Sequence, residues 1–379
     1  MMYLEITPNS TAWLLSKYEY TNKKVYKMKL LILAIDGLDI HYVKEWIDAL
    51  PTMKKLSEEG SISELTCPTH SSHINWSCVH SGENVDTHKL IGKGKMRHGF
   101  RYHISRMAVD PIWIKLAPHN IKFGVMAPFM IDQLACEQIE KTGGWMTGFE
   151  DDAAFNTCID NNTLSYKLIS SSPEVEALAQ WEEQKPWAMP VPLSHYGEEW
   201  IESDEVPRRF AAEYHNLEHL RTIVPEDYYA EGGESLYESL MFKLGASKRI
   251  IEQYPIDVLF VYDIRLDITS HFSLLHPPYN TLKQAYIGID KALQAYIDEF
   301  RPEETVVISD HGFRSHSNIR ENNDKVTKGM NCGIASGEHH LPAIGISTTK
   351  IEGESIPIHH FIRLLISNIL NIELEWKGE

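Results

Sequence analysis

Acids and histidines that could bind metal ions recur at separate places in this 379-residue chain. Asp36 follows the apolar run KLLILAI, and Asp310 with His311 follows the apolar run TVVIS. Such runs are typical of buried parallel strands, whose carboxyl ends meet at one edge of a sheet. We therefore expect these side chains to lie close together, with a helix cap or a turn as the alternative role for a lone Asp36.

Two further segments add candidate ligands. In LDITSHF, Asp267 and His271 are four residues apart, so on a helix both would project from one face and could bind one cation. The preceding run IDVLFVYD leaves Asp263 as the alternative acid at that strand end. In SGEHHLPAIGI, His339 and His340 fall in a segment predicted to be a glycine-bounded loop. Carboxylates and imidazoles together suit zinc or another borderline metal ion.

These acids and histidines amount to the ligand set of a two-metal site, and its chemistry needs a nucleophile. Two neighbouring cations can hold the attacking and the leaving oxygen of a phosphoryl transfer. Candidate hydroxyl groups lie in TCPTHSSHINWSCVHSGENVDTHKL, residues 66–90, which contains the adjacent Ser71 and Ser72. If SHINWSCVHSG begins a helix, its first N–H groups and its dipole favour a bound phosphate at these serines.

Composition and charge exclude several classes of protein. Hydrophobic residues make up 43% and charged residues 23%, as in ordinary globular proteins. The net charge of −17 argues against polymeric nucleic acid as a partner, because neutralising phosphates requires Lys and Arg. The five cysteines form no CxxC pair, so neither a disulfide framework nor a zinc ribbon is indicated. No apolar stretch is long enough for a transmembrane helix. The N-terminus lacks a secretory pattern, so we expect a cytoplasmic protein without a membrane span.

Strands alternate with helices along the chain, which predicts an α/β fold with a mostly parallel sheet covered on both faces. Residues 180–235, rich in Trp, Pro and acids, are interpreted as an inserted cap, and residues 1–27 as an extension before a catalytic domain at 28–379. The patterns predict strands at 28–35, 122–128, 256–263 and 305–313 and helices at 41–60 and 279–300.

In chain order, AIDGLD, LPTMKKLSEEGSISELTCPTHSSHINWSCVHSG, IDVLFVYDIRLDITSH, VVISDHGF and GEHHLPAIGI resemble motifs of the alkaline phosphatase superfamily. The most similar branch is the type I phosphodiesterase/nucleotide pyrophosphatase family. The resemblance spans about residues 28–348 and is weakest in the proposed cap. It implies a three-layer αβα sandwich with an inserted cap. It also implies a hydrolase of small, nucleotide-like phosphodiesters that uses two divalent metal ions. Zinc is the expected metal, with manganese or iron as alternatives.

The resemblance implies roles for individual residues. Ser72 stands at the position of the family's nucleophile, counted both from Gly82 and from Trp76, and would form a phosphoryl-serine intermediate. Asn75 stands where the nucleotide pyrophosphatases place an asparagine that binds a phosphoryl oxygen. The implied ligands of one metal ion are Asp267, His271 and His339, and those of the other are Asp36, Ser72, Asp310 and His311.

Alternatives stay open at this point. Ser71 is the alternative nucleophile, and Ser81 and Val85 depart from the family's usual Thr and Pro, which affects local packing more than chemistry. A phosphomonoesterase or a phosphonate hydrolase on the same scaffold is the alternative enzyme. A protein that binds a phosphorylated ligand without catalysis is the alternative from another class. The motifs specify neither the leaving group nor the oligomeric state.

Overall fold

The computed structural model of the protein describes residues 27–90, 104–130, 133–147, 232–273, 279–315, 337–353 and 355–378. Residues 1–26 of the predicted extension and residues 180–231 of the predicted cap lie outside these ranges. Residues 232–235, at the end of the predicted cap, begin a long helix.

The strands and helices follow one another in the predicted alternation. The strands are β1 (Leu30–Ile35), β2 (Ser61–Thr66), β3 (Phe123–Met126), β4 (Trp145–Thr147), β5 (Val258–Asp263), β6 (Glu304–Ile308), β7 (Gly312–Ser315), β8 (Gly337–His340), β9 (Ala343–Ser347) and β10 (Ser355–Pro357). The α-helices are α1 (Ile40–Trp46), α2 (Pro51–Glu59), α3 (Ser72–Ser81), α4 (Val85–His88), α5 (Ile112–Leu116), α6 (Gln133–Lys141), α7 (Gly232–Gln253), α8 (Arg265–Ser273), α9 (Tyr279–Phe300) and α10 (Ile358–Leu370). Within the described ranges, none of the helices combines the length and the apolar character that crossing a membrane requires.

Eight strands form one sheet in the order β10-β2-β9-β6-β1-β5-β3-β4. β9 runs antiparallel to both of its neighbours, and the other pairs are parallel, which confirms the predicted mostly parallel sheet. β1 lies between β6 and β5, with Ile35 beside Asp263. The segments that follow these three central strands therefore leave the sheet at the same edge, and they carry Asp36, Asp267 and Asp310.

Helices cover both faces of the sheet. Leu31 and Leu33 of β1 pack in one hydrophobic core with α1, α2, α7 and α9. Leu30 and Ile32 pack in a second core with α3, α5, α6 and α10. Because successive side chains of a strand point to opposite faces, an uninterrupted apolar strand requires a core on each side. The predicted three-layer αβα sandwich is confirmed.

The single helix predicted over 41–60 is wrong. α1 ends at Trp46, a 3-10 turn covers Ile47–Ala49, and α2 begins at Pro51. Proline has no N–H group to continue a helix and disfavours helical backbone in the residue before it. Leu50 accordingly has φ −120° and ψ 67°.

The single strand predicted over 305–313 is also wrong. It is divided into β6 and β7, and β7 leaves the main sheet to pair antiparallel with β8. β8 contains His339 and His340, where a loop was predicted, because pairing with β7 holds this segment extended. The break between β6 and β7 places Asp310 and His311 at the sheet edge.

A buried carboxylate fastens the segment after α10 to the end of α3. Glu83 is fully buried and accepts hydrogen bonds from Lys115 Nζ at 2.9 Å and from Arg363 Nη2 at 2.6 Å. The backbone N–H groups of Lys377 and Gly378 donate to the same carboxylate at 2.9 and 3.1 Å. Two cations and two amides therefore compensate a charge that would be costly to bury alone.

We expect Glu83→Gln to lower the free energy of unfolding by about 3 kcal/mol, because it leaves two mostly buried cations without their counter-charge. Chemical denaturation of the variant and the wild type measures the difference. Glu59→Gln is the control, since it removes only the exposed Lys55–Glu59 contact at 3.8 Å, and exposed pairs contribute little. Equal losses in the two variants would contradict the assignment.

Candidate active site

The site lies at the carboxyl edge of the central strands, where α3 begins. Ser72 is the first residue of α3, and Ser71 before it is extended, with φ −95° and ψ 117°. Gly82 ends the helix with φ 66°, a left-handed conformation that glycine adopts without steric cost. The first N–H groups of a helix have no carbonyl acceptor within it. The half-buried Ser72 hydroxyl thus lies where a bound phosphate is favoured.

His311 brings the serine and the acids together. Its Nε2 lies 3.0 Å from Ser72 Oγ and 3.2 Å from Asp36 Oδ1. The same nitrogen is 3.5 Å from Asp310 Oδ2 and 3.6 Å from Asp267 Oδ1. Side chains that are far apart in the sequence therefore converge on one atom of a fully buried ring.

His339 extends the cluster beyond Asp267. Its Nε2 lies 3.1 Å from Asp267 Oδ1, and its ring stacks on His311 with the centroids 3.7 Å apart. The other nitrogen, Nδ1, is 2.7 Å from the carbonyl oxygen of His70, and Nδ1 of His311 is 3.1 Å from that of Gly312. A carbonyl oxygen can only accept a hydrogen bond. In each neutral ring Nδ1 therefore carries the hydrogen, and the Nε2 lone pair faces the acids.

The donor set fits divalent cations. Within the described ranges, neither carboxylate oxygen of Asp310 is hydrogen-bonded, and the same holds for Oδ1 of Asp36. Burial, and after it the neighbouring Asp36, raises the pKa of Asp310 well above its usual value. An imidazole lone pair and the buried carboxylate that it faces repel each other unless a cation lies between them. Carboxylate and imidazole together are donors that zinc prefers.

The carboxylates also act on the histidines. Burial by itself lowers the pKa of His311, but Asp36 and Asp267 outweigh burial, and the pKa lies above its ordinary value. The same balance, with Asp267 as the main partner, raises the pKa of His339. The field that favours a proton on these rings would equally favour a metal cation beside them.

The candidate ligand atoms fall into two groups that share His311. One group is Asp36, Asp310 and His311, and the other is Asp267, His311 and His339. The atoms of each group lie within 4.8 Å of one another. Six of the seven predicted metal ligands, including Ser72, are thus brought together. His271 lies on α8, four residues after Asp267, and its side chain is outside the described part.

Asp36 joins the cluster to α3, the helix that begins at Ser72. Its Oδ2 accepts hydrogen bonds from Trp76 Nε1 at 2.9 Å and from Tyr262 Oη at 2.7 Å, while Oδ1 faces His311. Sequence reasoning missed both donors. The one available signal for Trp76 is its i, i+4 spacing from Ser72, which places both side chains on the same helix face.

Asp263 lies outside the cluster. Its Oδ2 accepts hydrogen bonds from Lys243 Nζ at 2.8 Å and Ser239 Oγ at 2.9 Å, and its Oδ1 accepts from the Arg265 N–H at 2.9 Å. Burial raises the pKa of Asp263, but Lys243 and Arg265 outweigh it, and the pKa is lowered. Of the two acids left open at this strand end, Asp267 is the one that approaches the histidines.

Asn75 is fully buried, and the NH₂ group of its side chain is already hydrogen-bonded. Nδ2 donates to the carbonyl oxygens of Thr69 and Asp310, both at 2.9 Å. These bonds tie α3 to the loop before it and to the segment that carries two candidate ligands. Contact with a phosphoryl oxygen would require Asn75 to release one of them, so that role stays a prediction.

His80, two turns after Ser72, is buried among aromatic rings and takes no part in the cluster. Its ring centroid lies 5.4 Å from that of Phe260 and 5.5 Å from that of Trp113, and burial lowers its pKa to about 3. In an unfolded chain the pKa of histidine is about 6.5. The stability that depends on neutral His80 is therefore complete above about pH 6.5 and is lost as the pH falls toward 3.

We expect His80→Phe to flatten the acid-side loss of stability. Between about pH 6 and pH 4 the wild type should lose up to about 1.4 kcal/mol more per pH unit than the variant, because its unfolded state binds one more proton. Urea denaturation across this pH range gives both slopes. Identical slopes would show that His80 is not held neutral by the fold.

Buried acids and histidines around a serine, at the strand ends of an αβα sandwich, could serve metal-dependent phosphoryl transfer. Residues 30–330 match the sequence profile of the type I phosphodiesterase/nucleotide pyrophosphatase family. The chain belongs to this family.

Two solved structures with similarity to this chain are those of the phosphonoacetate hydrolase from Sinorhizobium meliloti 1021, in complex with phosphonoacetate and with phosphonoformate. In each comparison the sequence identity is 13% and the TM-score is 0.43. The matched region covers 77% of this chain and 58% of the hydrolase chain. No curated protein matches this chain at a significant level.

Proposed function

We propose that this protein is an enzyme that hydrolyses small, nucleotide-like phosphodiesters by attack of Ser72 on phosphorus, with two divalent metal ions bound. The observation that carries this proposal is the convergence of the Ser72 hydroxyl and buried carboxylates on Nε2 of His311. Family membership supports phosphoester hydrolysis as the reaction class. From its composition, the segment 180–235 is proposed as the cap that selects the leaving group.

The side chains of the cluster, together with Ser72 and His271, would hold the two ions in two separate sets. Zinc suits their mixture of carboxylate and imidazole, and manganese or iron could use the same donors. When bound, such ions lower the pKa of a coordinated hydroxyl and stabilise negative charge on the phosphoryl group. Asp36, Ser72, Asp310 and His311 would hold one ion, and Asp267, His271 and His339 would hold the other.

The chain's own residues account for the remaining steps. Ser72 gives up its proton to solvent, and its Oγ forms a bond to phosphorus while one P–O ester bond breaks and the alcohol leaves with the electron pair. The first N–H groups of α3 stabilise the phosphoryl oxygens. Water then attacks the serine-bound phosphorus and loses a proton to solvent, and Ser72 Oγ leaves with the electron pair of the P–O bond and takes up a proton. The products are a phosphate monoester and the regenerated serine.

Assays on bis-p-nitrophenyl phosphate and p-nitrophenyl phosphate test this proposal. We expect kcat/KM for the diester to exceed that for the monoester, and we expect chelation to abolish both activities. The reverse ratio would favour a phosphomonoesterase on the same scaffold, and preferential cleavage of a P–C bond would favour a phosphonate hydrolase. Two bound ions without turnover of any phosphoester would instead indicate a binding protein.

A further inference from the structure

Asp39 is a buried carboxylate near the metal centre that the proposed reaction does not use. Its side chain is 4% exposed. Oδ1 accepts hydrogen bonds from the backbone N–H groups of His41 at 2.7 Å and Tyr42 at 3.3 Å, which caps the start of α1. Oδ2 accepts from the N–H of Phe313 at 2.9 Å. One carboxylate therefore joins the segment after β1 to strand β7.

Phe313 connects this bond to both histidines of the cluster. It is paired with His339 across the β7–β8 ribbon. Its ring centroid lies 5.3 Å from that of His339 and 5.5 Å from that of His311. The ring also packs over Gly37, next to Asp36, so closely that a Cβ there would lie 2.6 Å from Cε2 of Phe313. Phe313 thus contacts segments that carry candidate ligands of both groups.

The Asp39 carboxylate has little freedom to move. Tyr286 of α9, fully buried, accepts a hydrogen bond from the Asp39 backbone N–H at 2.9 Å. On the opposite side, a Cβ at Gly312 would collide with Asp39 Oδ2, so glycine is required for this close approach. Three elements therefore hold Asp39 in place. α9 binds its backbone N–H, α1 binds the carboxylate oxygen Oδ1, and β7 binds the carboxylate oxygen Oδ2.

We propose that Asp39 is a positioning residue that sets the separation between Asp36 on one side of the metal centre and His339 on the other. This role rests on the proposed function, because it requires that the cluster bind metal ions. Without the Asp39–Phe313 bond, the ribbon that carries His339 would shift relative to the segment that carries Asp36. Residues that orient metal ligands in this way typically contribute about 10–100-fold to metal affinity.

Asp39→Asn separates this role from helix capping. Asparagine caps helices as well as aspartate does, so its oxygen can keep the bonds to α1. Its NH₂ group then meets the Phe313 N–H, donor against donor. Asp290→Asn is the matched control: the Asp290 carboxylate is buried and accepts the N–H groups of Thr52 at 3.1 Å and Met53 at 2.7 Å at the start of α2. Asp290 is not a member of the metal cluster.

Zinc affinity is measured on the intact chain by competition with a chromophoric chelator, and circular dichroism of the metal-free proteins confirms that both variants fold. We expect zinc binding about 10–100-fold weaker in Asp39→Asn and unchanged in Asp290→Asn. If Asp39→Asn does not fold, Asp39→Ser, which can cap α1 but is too short to reach Phe313, should show the same loss.

The outcomes separate this inference from the proposed function. Wild-type zinc binding with equal affinity in Asp39→Asn would overturn the positioning role and leave the proposed function standing. An equal loss in Asp290→Asn would also overturn it, because the effect would then follow from losing any buried helix cap. A wild-type protein that binds none of zinc, manganese and iron would overturn the proposed function and this role together.

Discussion

Ser72→Ala is expected to abolish phosphodiester hydrolysis, with kcat falling on the order of 10⁴-fold or more. Ser72 Oγ lies 3.0 Å from Nε2 of His311, inside the cluster of candidate ligands. Alanine leaves no atom there that can bond to phosphorus, so the variant loses a nucleophile and not merely a binding contact. The rate of p-nitrophenol release from bis-p-nitrophenyl phosphate measures the effect.

Ser71→Ala is the matched control for this loss. Ser71 precedes α3, and its side chain makes no capping hydrogen bond. Its carbonyl oxygen accepts the N–H groups of Ile74 and Asn75 at 3.1 Å, and alanine retains that carbonyl. We expect near wild-type turnover. Activity that is lost in Ser71→Ala and kept in Ser72→Ala would assign the nucleophile to Ser71.

The second large effect is expected on metal binding in Asp310→Asn. Asp310 is fully buried, and within the described ranges neither of its carboxylate oxygens is hydrogen-bonded. The substitution replaces a buried acid beside Asp36 with a neutral amide of nearly the same shape, so the metal-free variant should be at least as stable as the wild type. A metal ion at 100 times its Kd stabilises a protein by about 2.7 kcal/mol. The variant should lose this gain together with its activity.

Thermal unfolding with zinc and with a chelator measures the gain in both proteins. Asp48→Asn is a suitable control, because Asp48 is an exposed acid that pairs with Lys54 at 2.7 Å. Its metal-induced rise in Tm should equal that of the wild type. An equal rise in Asp310→Asn would show that this carboxylate is not a ligand.

The sequence was sufficient for the elements whose pattern is local. β1 and β5 are continuous apolar runs that end in acids, which locates the edge of the sheet and, with it, Asp36. Apolar residues that recur with helical periodicity likewise predicted one long helix at 279–300, and the helix α9 at Tyr279–Phe300 confirms this prediction. Ser72 opens a helix as predicted, since SHINWSCVHSG is closed by a glycine that can adopt the left-handed conformation.

Features that depend on distant pairing could not be predicted from the sequence. The β7–β8 ribbon forms by antiparallel pairing of Gly312–Ser315 with Gly337–His340. Only this pairing makes a strand of the segment that was predicted to be a loop. The bond from Asn75 to the carbonyl oxygen of Asp310 joins two segments that lie far apart in the sequence. Sequence reasoning did not single out Asp39, because its contact with Phe313 has no local signature.

The covalent role of Ser72 is the central claim, and trapping the intermediate tests it most directly. The p-nitrophenyl ester of thymidine 5′-monophosphate would be quenched with acid during a single turnover, and the peptides analysed by mass spectrometry. We expect the thymidylyl group on Ser72, because p-nitrophenolate leaves while the nucleoside stays on phosphorus. An adduct on Ser71, or on any residue other than Ser72, would contradict the account.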